Sequence, residues 1–116
     1  MIETPKFEDG GWTDATVALL CPKCKNPHLH QYTVETFHRG EDETKLIHTS
    51  AYMDGTEVVV RPSAAVSNPS SRRHGLTIHF ECEHCHHEGE DAFHLNIWQH
   101  KGTTYMHWLV PDDVGQ

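Results

Sequence analysis

The chain has 116 residues, an apolar fraction of 36% and a formal charge of −8, from nine Lys and Arg against seventeen Asp and Glu. That length fits one domain with a modest hydrophobic core, and the acidic balance argues against a partner recognised mainly through its phosphate backbone. No stretch approaches the length of an apolar membrane span, and Met1 to Asp14 is acidic with no basic segment leading into an apolar run, so the expected compartment is the cytosol.

Residues 1–16 carry Pro5, Gly10, Gly11 and several acids, which predicts a loosely ordered acidic N-terminal arm with Phe7 and Trp12 as anchors. Thr16 to Leu20 is a short apolar run, read as a strand that delivers Cys21 to the first Cys-x-x-Cys turn, Cys21-Pro22-Lys23-Cys24. Gln31 to His38 alternates as a strand, with Tyr32, Val34 and Thr36 on one face and Thr33, Glu35 and Phe37 on the other. Glu41-Asp42-Glu43 reads as a charged turn. Thr44 to Ala51 and Glu57 to Arg61 then read as two strands of a hairpin about Asp54-Gly55.

Pro62 to Arg73 is rich in Ser, Asn and Pro and predicts a polar loop. Gly75 opens a strand over Leu76 to Cys82, with Leu76, Ile78 and Phe80 on one face, and leads into the second turn, Cys82-Glu83-His84-Cys85. Ala92 to Gln99 and Thr103 to Val110 predict a terminal hairpin turning at His100-Lys101-Gly102, with Trp98 and Trp108, one on each strand, expected as a core pair; residues 111–116 form a C-terminal tail. No segment keeps helical periodicity over ten residues. The fold expected over 17–110 is a single all-β domain, a zinc-ribbon-like antiparallel sheet with extra strands inserted between two Cys-x-x-Cys knuckles.

The two pairs hold all four cysteines of the chain, Cys21, Cys24, Cys82 and Cys85, and supply a complete tetrahedral thiolate set for one zinc ion. A two-residue spacer lets one tight turn aim two sulfurs at one point, and with no vacant coordination position the metal would be structural. Such an ion contributes on the order of 10 kcal/mol to the folded state, comparable with the net stability of an ordinary domain. A disulfide within each pair suits an oxidising compartment, and an iron centre of rubredoxin type needs the same four thiolates. A thioredoxin-like redox role fits less well, because that motif opens a helix. Lys25 and His86 stand where knuckles commonly have Gly, so the left-handed position is expected at neighbours such as Asn26 and Gly89.

Twelve histidines are spread along the chain without a run, and protonating them would reverse the sign of the net charge, so behaviour should change near pH 6. Most are expected on the surface or on strand faces. His28, His30, His84, His86 and His87 flank the knuckles and raise a second metal site as an alternative.

The segment Asn68 to Ile78, which includes Arg72-Arg73-His74, together with Cys82-Glu83-His84-Cys85 and Gln99-His100-Lys101-Gly102-Thr103-Thr104-Tyr105, resembles a family of small zinc-ribbon proteins encoded by bacteriophages and prophages. The resemblance spans roughly Leu20 to Val110. It implies a bacterial cytosol, a mobile-element origin and an accessory role, and it assigns no catalytic residue.

These features point first to a non-catalytic protein with one structural Zn²⁺, binding a host or phage protein through an acidic and aromatic surface, in one form as an inhibitor of bacterial immunity that fills a basic nucleic-acid channel. Arg72 and Arg73, whose guanidinium forks suit carboxylates and phosphates, are candidate partner contacts, as are His100, Lys101 and Tyr105 around the terminal turn. A nucleic-acid-binding or transcription-regulating ribbon is the alternative that the net charge disfavours. A metal-dependent hydrolase built on a His-rich second site is a further alternative, although no His-Glu-x-x-His spacing is present.

Overall fold

The computed structural model describes residues 1–12, 14–39, 45–52, 58–64, 68–70, 74–85 and 93–111. Among these every regular element is a strand: β1 (Ile2–Glu3), β2 (Phe7–Asp9), β3 (Val17–Leu19), β4 (Leu29–His38), β5 (Lys45–Tyr52), β6 (Val58–Ala64), β7 (Gly75–Cys82), β8 (Phe93–His100) and β9 (Thr103–Leu109). Seven of them form an antiparallel sheet in the order β1-β9-β8-β7-β4-β5-β6, and β2 and β3 pair separately. The protein is therefore all-β and zinc-ribbon-like, with β4, β5 and β6 inserted between the two Cys-x-x-Cys segments.

The β5–β6 ladder runs from Lys45↔Ala64 to Ala51↔Val58, as a hairpin about Asp54-Gly55 requires; those two residues, like Glu41-Asp42-Glu43, lie outside the described residues. β6 continues through Pro62 to Ala64, so the strand takes the first residues of the predicted polar loop. Proline is tolerated there because β6 is an edge strand, where a missing N–H breaks no central ladder.

The N-terminal arm also carries more structure than its composition suggests. Ile2↔Leu109 and Glu3↔Trp108 add β1 to the outer edge of β9, the Met1 amine donates to the Val110 carbonyl at 3.0 Å, and the Val110 N–H donates to the Met1 carbonyl at 2.8 Å. An unpaired edge of β9 supplies backbone groups that two residues of any composition can satisfy, a signal that composition does not contain.

The ladder registers sort the side chains onto two faces. Leu76↔Ile97, Ile78↔Leu95, Phe80↔Phe93 and Leu95↔Trp108 place the apolar positions together. Phe80, Phe93, Leu95, Trp108 and Val110 are buried there beside Cys21 and Cys82, and the Phe80 and Phe93 rings meet Trp108 edge-on at 5.5 and 6.3 Å. Burying each such side chain is worth about 1.5–3 kcal/mol. The opposite face carries Thr33, Glu35, His48, Ser50, Thr77, His79, His94, Asn96 and His107, together with the buried Phe37 and Leu46, and the Phe37 ring stacks on His48 at 4.5 Å.

The register corrects the expected tryptophan pair. Trp98 is opposite Tyr105, an odd number of residues from Trp108, so the two indoles emerge on opposite faces. Trp108 is fully buried in the core, whereas Trp98 stacks on Tyr105 at 5.8 Å and lies 4.7 Å from the His107 ring. Gly75 is required by close packing on that polar face. A Cβ there would run into Asn68 Oδ1 and come within 2.8 Å of the Pro69 ring. Its absence lets residues 68–70 settle on β7, where the Ser70 hydroxyl donates to the Gln99 carbonyl at 2.7 Å.

Candidate metal centre

The first knuckle follows β3 and precedes β4; the second begins in the last residue of β7. Leu29↔Cys82 aligns the ends of β4 and β7, and the Glu83 N–H donates to the His28 carbonyl at 3.1 Å, so the sheet itself brings the two turns together. All four ligand sulfurs lie within 4.8 Å of one another. Cys21 and Cys85 Sγ are 3.8 Å apart, and Cys24 and Cys82 Sγ 3.6 Å. Four bonds of about 2.3 Å at tetrahedral angles put sulfurs about 3.8 Å apart, so the spacing fits a metal ion held by four thiolates, while a disulfide needs about 2.0 Å. The cysteines are free thiols, not bonded within their pairs.

Backbone donors support the sulfurs. The Lys23 N–H points at Cys21 Sγ at 3.4 Å and the Cys85 N–H at Cys82 Sγ at 3.3 Å. The turn is closed by Lys25 N–H to the Cys21 carbonyl at 3.0 Å and by Cys21 N–H to the Asn26 carbonyl at 2.9 Å. The left-handed residue is Lys25 itself, with φ of 63°, and not Asn26; Nζ of Lys25 donates to the Pro22 carbonyl at 2.8 Å, which helps hold a conformation that usually favours glycine. Gly89, His86 and His87 lie outside the described residues.

The thiols do not ionise alike. Burial pushes Cys21 and Cys85 up, and for Cys85 the neighbouring cysteines add to that. Burial also acts to raise Cys24, but hydrogen bonds from Cys85, the backbone at Asn26 and the other two cysteines outweigh it and bring this exposed thiol below its ordinary value. Four adjacent thiolates need a cation to coexist. A divalent ion at their centre would supply it, and its binding would release the protons.

The other predicted contacts are dispersed. Arg72 and Arg73 lie outside the described residues. His100, Lys101 and Tyr105 gather around the β8–β9 turn, where Lys101 and Gly102 take φ of 51° and 79° and Tyr105 stacks on Trp98. His28, His30 and His84 do come together beside the knuckles: the His28 and His84 rings are 5.3 Å apart, and His30 Nε2 is 3.1 Å from Glu83 Oε2.

Sequence reasoning missed a network on the polar face. Glu35 holds His48 Nε2 with Oε1 at 2.8 Å and His79 Nε2 with Oε2 at 2.6 Å, and the His79 ring packs 4.1 Å from His94. The hydrogen bond from His79 draws the Glu35 carboxyl below its usual range, against the effect of burial, and His48 adds to it. Burial, then the charge on His79, lowers His94. Ser50 Oγ approaches the same Nε2 of His48 at 3.3 Å. A hydrolytic triad needs nucleophile and carboxylate on different ring nitrogens, so these three residues do not have that arrangement. The strand alternation contained the signal, since it places Glu35, His48 and His79 on inward-facing parities, but only the ladder registers make them neighbours.

The chain matches no family model, no curated protein and no solved structure. No helix among the described residues is long and apolar enough to cross a membrane.

Proposed function

We propose that the protein is a non-catalytic binding module in which a structural zinc ion locks the two knuckles and the β2–β3 hairpin engages a protein partner. The observation that carries this is Trp12, 86% exposed beyond the end of β2. The hairpin is a defined support: Phe7↔Leu19 to Asp9↔Val17 pair, the Gly10 N–H donates to the Thr16 carbonyl at 2.9 Å, and the Gly11 N–H donates to Asp9 Oδ1 at 2.9 Å. Glu8, Asp9 and Asp14, close to Trp12 in sequence, are exposed as well. A tryptophan in an acidic surround suits a basic surface with an apolar pocket, where burial of such an anchor is worth about 2–4 kcal/mol. The resemblance to phage-encoded ribbons favours a bacterial partner, and the acidic charge favours a nucleic-acid channel of an immunity protein, blocked by occupation.

The test is capture from nuclease-treated bacterial lysate on the zinc-loaded protein, compared with Trp12→Ala and with Glu8→Lys/Asp9→Lys. Retention of a protein that salt releases, and its loss in both variants, is the expected result. Undiminished capture by the variants would overturn the assignment to the hairpin.

The stacked Trp98–Tyr105 pair with His107 and the exposed Lys101 favours a second reading, single-stranded nucleic-acid binding by base stacking. A mobility shift at low salt, abolished by Tyr105→Ala, would select it.

A further inference from the structure

We infer that His28 and His84, assisted by His30 and Glu83, form a second and exchangeable site for a divalent transition-metal ion of the zinc type, on the outer side of the knuckles. The two rings are 5.3 Å apart between centroids and inclined by 46°. Two imidazoles bound to one ion through nitrogens at about 2.1 Å, at a tetrahedral angle, have centroids about 5 Å apart, so the spacing is compatible with one shared ion, toward which the side chains must turn because, among the described residues, only the four sulfurs already converge. Among the described residues no hydrogen bond engages either ring, which leaves their nitrogens available.

The backbone holds the pair in place from both sides. Asn26 Oδ1 accepts the His28 N–H at 2.9 Å, and the Glu83 N–H donates to the His28 carbonyl at 3.1 Å, so the residue preceding His84 is tied to His28 directly. His30 and Glu83 contribute a third imidazole and a carboxylate on exposed side chains, now paired with each other at 3.1 Å, whose reorientation costs little. Imidazole and carboxylate suit zinc, nickel and copper better than calcium or magnesium. A divalent ion inside four thiolates leaves the neighbouring centre with net negative charge, which attracts a further cation.

The contrast with another histidine pair sharpens the assignment. His38 and His74 have the same 5.3 Å separation, but His74 Nδ1 already accepts the Arg39 N–H at 3.0 Å. The Glu35 cluster is also committed, with both carboxylate oxygens bonded to imidazoles. The knuckle set does not converge as closely as the four sulfurs, so its affinity should be micromolar and its ion exchangeable.

Calorimetric titration of Zn²⁺ into protein already carrying one zinc per chain tests the site. A second equivalent should bind with micromolar affinity, disappear in His28→Ala/His84→Ala and weaken by about tenfold in Glu83→Gln. The first zinc, measured on each variant, reports that the knuckles remain intact. In parallel, the imidazole resonances of the unsubstituted protein should move at His28 and His84 on adding the second equivalent. No second equivalent at millimolar Zn²⁺, equal binding by the double variant, or resonance changes that bypass His28 and His84 would each overturn the proposal.

Discussion

On one face of the sheet Phe80, Phe93 and Trp108 exclude water against Cys21 and Cys82; on the other, Glu35 links His48 to His79 and Thr77 Oγ1 donates to Asn96 Oδ1 at 2.7 Å. Both faces bury side chains, but by different means. The apolar face gains from non-directional removal of surface and is closed at one end by the four cysteines. The polar face also buries Phe37 and Leu46, but its buried polar groups gain only where each donor meets its acceptor, because a half-buried carboxylate or imidazole without a partner is costly. The same strands therefore carry one side whose end is formed by four cysteines able to hold an ion, and another that depends on register and on pH.

Removing the metal should have the largest effect, and on the apolar face first. Chelation is expected to cost on the order of 10 kcal/mol and abolish the near-ultraviolet circular dichroism of Trp108, with recovery on adding zinc. A chelated protein that kept a cooperative melt at the original temperature would show that the sheet does not need the ion.

Within the metal-bound protein, Phe93→Ala should destabilise by about 3–5 kcal/mol in denaturant unfolding, as a cavity opens beside Trp108. Trp108→Phe should cost less. Nε1 of this buried indole has no hydrogen-bond partner among the described residues, so the substitution removes an unsatisfied donor as well as volume.

Glu35→Gln keeps the shape of the polar face but replaces one acceptor with a donor and removes the charge shared by His48 and His79. A loss of about 1–3 kcal/mol is expected, with little change in metal content. Loss of the metal in this variant would mean that the two faces are coupled more tightly than their separation across the sheet implies.

The smallest effect is the pH dependence of the metal-bound protein's melting temperature. His94 has a folded pKa below the ordinary 6.5, so its contribution is complete above that pH and is lost as pH falls from 6.5 toward the folded value. His107, lowered by burial, acts in the same direction. Glu35, depressed below 4.5, adds a second loss only under stronger acid, as pH falls through its folded pKa. The melting temperature should therefore decline between pH 7 and pH 5, and His94→Asn should flatten the decline. A melting temperature that rises over this interval would contradict the burial of His94.

Much was legible because it is local. Cys-x-x-Cys spacing, alternation along β4, β7 and β8, and the turn signals Asp54-Gly55 and Lys101-Gly102 are contained in a few consecutive residues, although Asp54 and Gly55 themselves lie outside the described residues. The ladders of the two hairpins run as those signals require. β1 and the separation of Trp98 from Trp108 were not legible, because each depends on a partner supplied from elsewhere: the free edge of β9 and the register of β8 on β9. The left-handed Lys25 was missed for a local reason, a side-chain bond to the Pro22 carbonyl three residues back that residue preference does not report. His28 and His84 show both sides of this. Their residue types suggested a metal, but their 5.3 Å separation required the knuckles to meet.

By itself the sequence determined that the chain is all-β and that its four cysteines make one set able to ligate a metal, since periodicity and ligand chemistry are properties of short segments. The tertiary structure decided which strands neighbour one another, which histidines share Glu35 and that Trp12 stands exposed. Those outcomes follow from strand order and register across the sheet, where shifting a ladder by one residue exchanges the buried and exposed sets without changing a single local signal.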